Sequence, residues 1–286
     1  MEKITLADKI TELTGSGIRQ MTTLSGGCVA DVMRADLECG RSLVIKKGDA
    51  NTSGLLIEAE MLRYLAQHSP ITCPDVIYAD DGCLIMSFIA NDNQMSESVQ
   101  IDLAEQLARQ HAVTSDQFGL SFDTLIGGLH QPNQQEASWI RFFGEHRLRF
   151  MAHAAHKEGR LNAAMTARMD RLIDRLDRHI DDQPKPSLLH GDLWGGNILC
   201  QNGKLAGLID PAIYYGDREI ELAFGTLFGD LTPAFFDRYA EIMQINPGFF
   251  EERRDLYNLY PLLVHVRLFG GSYVGSVDHI LSRFGH

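Results

Sequence analysis

Short apolar runs alternate with turn residues over the first quarter of the chain. The runs GIRQMTTL, VADVMRADL and RSLVIKK are separated by SGG and ECGR, and DVIYAD meets GCLIMSFI at an Asp-Gly turn. Such runs are typical of antiparallel strands. Between the third and fourth runs, apolar residues recur at helical spacing, at positions Leu55, Ala59, Leu62 and Ala66. The pattern predicts a small sheet and one helix, with Ser53 as the N-cap and Pro70 as the stop.

From about Ser98 onward the pattern is mainly helical. Three amphipathic segments carry it, namely SVQIDLAEQLARQHA, SWIRFFGEHRLRFMAHAA and NAAMTARMDRLIDRLDRHI. FGLSFDTLIGGLHQPNQ reads as a loop, residues 184–216 are rich in turns, and more helix follows. We predict a two-lobed α+β fold, with an antiparallel-sheet N-lobe with one helix over residues 1–90 and a larger, mostly helical C-lobe over residues 91–286. A short hinge at residues 86–90 joins them, and ligands commonly bind between such lobes.

Composition excludes several classes of protein. The 286 residues hold 44% apolar residues, with 26 basic and 38 acidic side chains and a net charge of −12. This balance argues against nucleic acid as a partner and mildly favours a cationic substrate. The five cysteines are widely spaced, and neither a signal peptide nor an apolar run of 18 residues is evident,. We therefore expect a cytoplasmic protein without a membrane partner, either a monomer or a homodimer.

The segment HGDLWGGNILCQNGKLAGLIDPA carries the most chemical information. Asp192 and Asn197 are five residues apart, and Asp210 follows thirteen residues later. One carboxylate, that of Asp192, can receive a hydroxyl proton, while the Asn197 amide oxygen and the Asp210 carboxylate can hold Mg²⁺ on ATP. This spacing matches the catalytic loop of a protein-kinase-like fold. Each residue alone is equally well a turn former or a loop acid, but the ordered set favours phosphoryl transfer.

The strand RSLVIKK supplies a candidate cation for the phosphates. A strand alternates its faces, so Lys46 and Lys47 point in opposite directions, and Lys46 is the one predicted to point inward,. On the following helix Glu58 shares the apolar face, whereas Glu60 lies roughly opposite. Because a carboxylate on an apolar face needs a partner, Glu58 is the predicted partner of Lys46. A boundary glutamate in solvent is the alternative.

The remaining nucleotide contacts are predicted from a loop and from the hinge. Ser25, Gly26 and Gly27 lie between two strands, where bare backbone amides can approach phosphate oxygens,. Two glycines at this place are also consistent with an ordinary hairpin. Met86 and Phe88 at the hinge complete the predicted nucleotide site.

The sequence resembles the fructosamine kinase (ketosamine kinase) family, a branch of the protein-kinase-like fold related to aminoglycoside phosphotransferases and choline kinases. The resemblance runs along nearly the whole chain, and its most specific phrases are HGDLWGGN and DPAIYYGDRE. It implies an ATP- and Mg²⁺-dependent kinase of a sugar hydroxyl on a ketosamine, as a small molecule or on a glycated protein lysine. It also implies Lys46 on the phosphates, Asp192 as general base, and a role in deglycation repair. Glu221 departs from the aspartate common at its position, which could alter the packing of the loop after Asp210.

The ketosamine substrate would carry a secondary ammonium, for which three residues are candidates. Trp194 offers a cation–π surface worth about 0.5–2 kcal/mol, although a core tryptophan is the alternative,. Asp217 and Glu219 could hold the same ammonium, or Arg218 and Glu219 could simply pair with each other. Cys28, after the two glycines, could be an oxidisable thiol, although a small apolar strand residue is the more ordinary interpretation,.

Three alternatives remain at this point. The chain could be a kinase of another amine or sugar, such as an aminoglycoside, although Trp194 and the DPA sequence argue against it. It could be a catalytically inactive kinase-fold module, although all four predicted catalytic positions are filled. It could also be a nucleotidyl transferase, which would release pyrophosphate in place of ADP.

Overall fold

A five-stranded antiparallel sheet forms the N-terminal part of the molecule. The structure is a computed structural model that describes residues 5–24, 31–48, 54–181 and 183–285. The strand order is β1-β2-β3-β5-β4. The elements of this part are α1 (Leu6–Thr14), β1 (Ile18–Thr23), β2 (Asp31–Leu37), β3 (Ser42–Lys47), α2 (Leu55–His68), β4 (Val76–Asp80) and β5 (Cys83–Ser87). The predicted sheet is therefore present, and it is antiparallel throughout.

The N-terminal part contains two helices in the described residues, so the prediction of one helix was wrong. The additional helix, α1, begins with a capping box in which Thr5 and Asp8 each bond the other's backbone amide, and it ends at Gly15 in the left-handed conformation,. Helix α2 begins at Leu55, with Gly54 rather than Ser53 at the N-cap, and Ser53 lies outside the described residues. The stop before Pro70 is confirmed, with Ser69 at the C-cap.

The C-terminal part is mainly helical. Its first elements are α3 (Glu97–His111), β6 (Thr124–Ile126), β7 (Leu129–Gln131), α4 (Trp139–Arg141), a π-helical stretch (Phe142–Arg149), α5 (Phe150–Lys157), α6 (Ala163–Ile173) and a 3₁₀ turn (Leu176–Arg178). They are followed by β8 (Ser187–Leu189), a 3₁₀ turn (Gly195–Asn197), β9 (Ile198–Gln201), β10 (Lys204–Leu208) and β11 (Tyr214–Gly216). The last elements are α7 (Arg218–Leu227), α8 (Pro233–Ile242), a π-helical stretch (Phe249–Arg253), α9 (Arg254–Phe269) and α10 (Ser272–Arg283).

Two predicted elements differ in detail. The segment expected to be a loop contains the β6–β7 hairpin, which turns at Gly127 and Gly128 with φ of 54° and 81°. Glycine tolerates this left-handed backbone, and a Gly-Gly pair is a hairpin signal. The helix expected to reach residue 180 ends at Ile173, after which a 3₁₀ turn buries Leu176.

The main core joins the C-terminal helices to the loops that carry the polar motifs. It packs residues of α3, α7 and α9 against Leu189, Leu193, Ile198 and Leu208. These four side chains flank the residues singled out for chemistry, so the core fixes the backbone on both sides of them. No helix in the described part of the chain is long and apolar enough to span a bilayer. The lobe boundary at residue 90 stays a prediction.

Candidate active site

Lys46 joins the N-terminal sheet to the C-terminal motif. Its ammonium Nζ lies 2.7 Å from Glu58 Oε1 and 2.6 Å from Asp210 Oδ1. The Lys46–Glu58 pair predicted from strand and helix periodicity is thus present, and Lys47 is exposed as expected. Burial alone would lower the pKa of Lys46, but the two carboxylates outweigh it and hold that pKa above its ordinary value,. The ammonium is therefore charged, with one of its three donors unused by these two contacts.

Asp192 and Asn197 lie side by side on the loop between β8 and β9. Asn197 Nδ2 donates to the carbonyl oxygen of Asp192 at 2.8 Å and to its Oδ2 at 3.0 Å. A 3₁₀ turn brings Asn197 back over Asp192, with the Asn197 amide N–H donating to the Trp194 carbonyl. Burial raises the pKa of Asp192 to about 7, assisted by the charges of Asp210 and Glu221 and opposed by the bond from Asn197,.

The oxygens of Asn197 and Asp210 fit a hard divalent cation. Since both Asn197 contacts use its amide nitrogen, Oδ1 is the atom left for a cation. The contact from Lys46 uses Oδ1 of Asp210, whose side chain is 40% exposed and whose φ is 53°. An amide oxygen and a carboxylate oxygen are the ligand types that Mg²⁺ takes in phosphoryl-transfer sites.

Glu221 holds the backbone of the loop between β8 and β9, which we call the catalytic loop because it carries Asp192 and Asn197. The sequence analysis missed this role. Its Oε1 accepts the amide N–H of Gly191 at 2.6 Å, and its Oε2 accepts that of His190 at 3.2 Å. His111 Nε2 also donates to Oε2 at 2.9 Å, and Tyr239 contacts the other ring nitrogen of His111 at 2.7 Å. Glu221 therefore contacts the backbone immediately before Asp192. The expected effect of Glu221 on the packing of the loop after Asp210 stays a prediction.

The Glu221 carboxylate is ionised in this setting. Burial opposes its charge, but the hydrogen bonds from His111 and Gly191 and the nearby imidazoles outweigh burial and hold the pKa of Glu221 below its ordinary value. Its place in the first turn of α7 adds the favourable field of a helix N-terminus,.

Gly191 is required by the close approach of two loops. Its φ is +82°, and a Cβ at this position would lie 2.0 Å from the carbonyl oxygen of Ala212. The two loops are tied by a hydrogen bond from the Ala212 amide to the His190 carbonyl at 2.8 Å. A side chain at residue 191 would thus separate the loop of Asp192 from the segment that follows Asp210.

Trp194 lies at the surface, beside the catalytic loop. Its side chain is 41% exposed, so the alternative of a core tryptophan was wrong. The indole lies over Gly196, where a Cβ would come within 2.2 Å of the ring, and it contacts Phe228 edge-on at 6.4 Å between centroids. An exposed indole face two residues after Asp192 suits a substrate contact.

Asp217 and Glu219 are engaged inside the protein. Asp217 caps α7 and accepts the Tyr257 hydroxyl at 2.6 Å. Glu219 holds Arg253 through two contacts of 2.6 and 2.9 Å, while Arg218 donates to the carbonyl of residue 244. The alternative of an Arg218–Glu219 pair was therefore wrong, and both carboxylates have structural partners in place of a free face for a substrate.

The hinge residues give a mixed result. Met86 is buried in an apolar cluster with α2, and the Arg34 guanidinium lies 4.1 Å from the centre of the Phe88 ring. Their contact with a nucleotide stays a prediction. Ser25, Gly26 and Gly27 lie outside the described residues, as does Cys28.

Comparison with known proteins shows the family. The family profile described as fructosamine kinase matches residues 3–285. The chain belongs to the fructosamine kinase family. It is therefore a phosphotransferase with an alcohol group as acceptor, and kinases of this type use ATP.

Individual relatives agree along the chain. A protein of Vibrio parahaemolyticus named as a ketoamine kinase is 34% identical over 233 residues, which are 79% of each chain. Another so named, from Synechocystis, is 33% identical over 98% of this chain and 95% of its own. A Thermobifida fusca crystal structure assigned as a fructosamine-3-kinase has a TM-score of 0.87 at 30% identity, covering 98% of this chain and 99% of that one.

A more distant structural neighbour shares the fold alone. An aminoglycoside phosphotransferase solved with AMP-PNP and hygromycin B has a TM-score of 0.69 at 16% identity, over 97% of this chain and 98% of that one. The predicted protein-kinase-like fold is confirmed.

Proposed function

We propose that the protein transfers the γ-phosphoryl group of Mg²⁺-ATP to a sugar hydroxyl of a ketosamine, either a small molecule or a glycated protein lysine. The observation that carries the proposal is a pair of contacts on two adjoining segments: Lys46 contacts Asp210 at 2.6 Å, and Asn197 contacts Asp192 at 2.8 and 3.0 Å. The two segments are joined by a hydrogen bond from the amide N–H of Ile209, next to Asp210, to the Asn197 carbonyl at 3.1 Å. The names of the relatives support the ketosamine as acceptor.

Each residue has a role in this reaction. The free donor of Lys46 binds phosphate oxygens, with Glu58 and Asp210 holding its ammonium in place. Asn197 and Asp210 would hold Mg²⁺, which neutralises charge on the transferring phosphoryl group. The substrate hydroxyl attacks the γ-phosphorus as the bond to ADP breaks, and its proton goes to Asp192.

Alignment and charge neutralisation carry most of the rate in a loose transition state. Proton removal by Asp192 is accordingly a smaller contribution than these two, although its loss is still large enough to abolish measurable turnover in Asp192→Asn. Removing the charge of Lys46 or Asp210 should thus lower the rate at least as much as Asp192→Asn does.

The acceptor amine lies against Trp194 in this proposal. The exposed indole face offers a cation–π contact to the secondary ammonium, worth about 0.5–2 kcal/mol,. Phosphorylation of the sugar makes the ketoamine labile, so that it decomposes and frees the amine. The proposed role of the enzyme is therefore deglycation repair.

ADP release from Mg²⁺-ATP tests the proposal with ribulosamines, fructosamines and aminoglycosides as acceptors. We expect turnover on a ketosamine that disappears in Asp192→Asn. Turnover on aminoglycosides alone would contradict it, as would release of pyrophosphate in place of ADP. ATP binding without turnover on any acceptor would indicate an inactive kinase-fold module.

A further inference from the structure

A strip of aromatic rings continues from Trp194 along the surface of the protein. We call Phe228, His265 and Phe269 the aromatic shelf. Phe228 meets His265 at 5.2 Å between centroids, and His265 meets Phe269 at 5.6 Å. The shelf begins where Phe228 contacts Trp194, so it is continuous with the candidate active site.

Ordinary packing does not account for the exposure of the shelf. Phe228 is 44% exposed and Phe269 is 52% exposed, which is high for large apolar side chains,. They come from separate elements, Phe228 directly after α7 and Phe269 at the end of α9, where Gly270 ends the helix with φ of 65°. Two chain segments thus place aromatic rings on one surface.

His265 fixes the centre of the shelf. Its Nδ1 lies 2.7 Å from the carbonyl oxygen of Pro261, and because a carbonyl only accepts, Nδ1 carries the proton,. The ring also contacts Phe224 at 6.4 Å and Tyr273 at 4.9 Å. Burial lowers the pKa of His265, so the imidazole is neutral at pH 7 and the shelf is an uncharged aromatic surface.

We infer that the aromatic shelf binds the amine-bearing half of the acceptor and selects apolar or aromatic amines over small polar ones. This inference rests on the proposed function. The acceptor has two halves, and its sugar must lie at Asp192. Trp194 is exposed and its ring contacts Phe228, so in this proposal the other half extends over Trp194 onto Phe228 and Phe269. Ring-on-ring contacts of this kind strengthen binding by roughly two- to ten-fold.

The test compares two adducts of the same sugar, one of benzylamine and one of methylamine. We expect wild-type enzyme to show a KM roughly ten-fold lower for the benzylamine adduct. Phe228→Ala and Phe269→Ala should bring this ratio close to one by raising KM for the benzylamine adduct. The matched control is Phe250→Ala, which removes a 42% exposed phenylalanine that contacts Phe236 and Phe249.

Direct binding separates this inference from the proposed function. The chain has two tryptophans, and Trp139 is fully buried while Trp194 is exposed. Quenching of Trp194 fluorescence by each adduct without ATP therefore measures affinity, and Trp194→Phe identifies the signal. Quenching that is weakened by Phe228→Ala and Phe269→Ala, without turnover of either adduct, would refute the proposed reaction but support binding at the aromatic shelf.

Two results would overturn the shelf as an acceptor site. The first is that Phe228→Ala and Phe269→Ala leave the ratio of the two adduct affinities at its wild-type value, as Phe250→Ala is expected to do. The absence of quenching by either adduct would have the same meaning. The second is a wild-type dimer that both shelf variants convert to monomer in sedimentation, since the shelf would then be covered by a second copy of the chain.

Discussion

Replacing Glu221 by glutamine tests whether the buried carboxylate positions the catalytic loop. Its Oε2 accepts two donors, from His190 and His111, and its Oε1 accepts the Gly191 amide at 2.6 Å. A glutamine can keep only one oxygen. It would direct that oxygen at the pair of donors, which leaves its NH₂ group facing the Gly191 N–H, so two donors would be forced together beside Asp192.

The cost follows from these contacts. Losing a hydrogen bond to a charged group and leaving a buried donor unpaired each cost about 1–3 kcal/mol, so we expect Glu221→Gln to lower the free energy of unfolding by about 3 kcal/mol. For a protein of this size that corresponds to a melting temperature lower by roughly 6–12 °C. We also expect Glu221→Gln to displace Asp192 by about 1 Å, which lowers kcat on the order of 100-fold.

Glu219→Gln is the matched control for Glu221→Gln. Glu219 lies on the same helix, its side chain is 4% exposed, and it holds Arg253 with both oxygens without contacting the catalytic loop. We expect Glu219→Gln to lower the melting temperature while kcat stays within about two-fold of wild type, since Arg253 retains one acceptor. Thermal unfolding and ADP release at a temperature where both variants are folded make the comparison. Equal kcat values for the two variants would refute the positioning role.

Three further predictions concern the phosphate-binding lysine, the catalytic loop and the N-terminal sheet. Lys46→Met should abolish turnover and weaken ATP binding because it removes the ammonium that is proposed to bind the phosphate oxygens. Lys47→Met, on the exposed face of the same strand, should leave turnover and ATP binding unchanged. Gly191→Ala should lower both kcat and the melting temperature through its clash with a backbone carbonyl. Gly40→Ala, at φ of +85° with nothing within 4 Å, should cost only the left-handed strain of about 1–2 kcal/mol,. At Asp80, burial is outweighed by bonds from a lysine, a tyrosine and a backbone amide, which lower the pKa to about 2. The resulting stability is present above pH 4 and is lost as the pH falls from about 4 towards 2. A plot of melting temperature against pH should therefore fall less steeply over this range for Asp80→Asn than for wild type.

Local periodicity predicted the N-terminal half of the candidate site. The alternation of side chains along a strand predicted that Lys46 points inward and Lys47 points to solvent. The helical period predicted that Glu58, and not Glu60, is the partner of Lys46. These assignments depend on geometry within a few residues, which the chain itself specifies. The pairing was therefore accessible before any tertiary contact was known.

Contacts between distant segments could not be predicted in the same way. His111 and Glu221 are 110 residues apart, and only the packing of α3 beside the catalytic loop brings them within 2.9 Å. Nothing in the local sequence around His111 or around Glu221 indicates that the two side chains form a hydrogen bond. The contact of Glu221 with the backbone before Asp192 was accordingly not predicted from the sequence.

The three carboxylates at the start of α7 show why proximity to a motif is weak evidence for a substrate contact. Asp217, Glu219 and Glu221 lie within five residues, but successive helical positions are rotated by about 100°, so each faces a different part of the protein,. Asp217 meets Tyr257, Glu219 meets Arg253, and only Glu221 reaches the catalytic loop. Each is buried, and a buried charge persists where the protein supplies its partner,. The identity of that partner, and not the distance along the chain from Asp210, decides which of the three acts on the reaction.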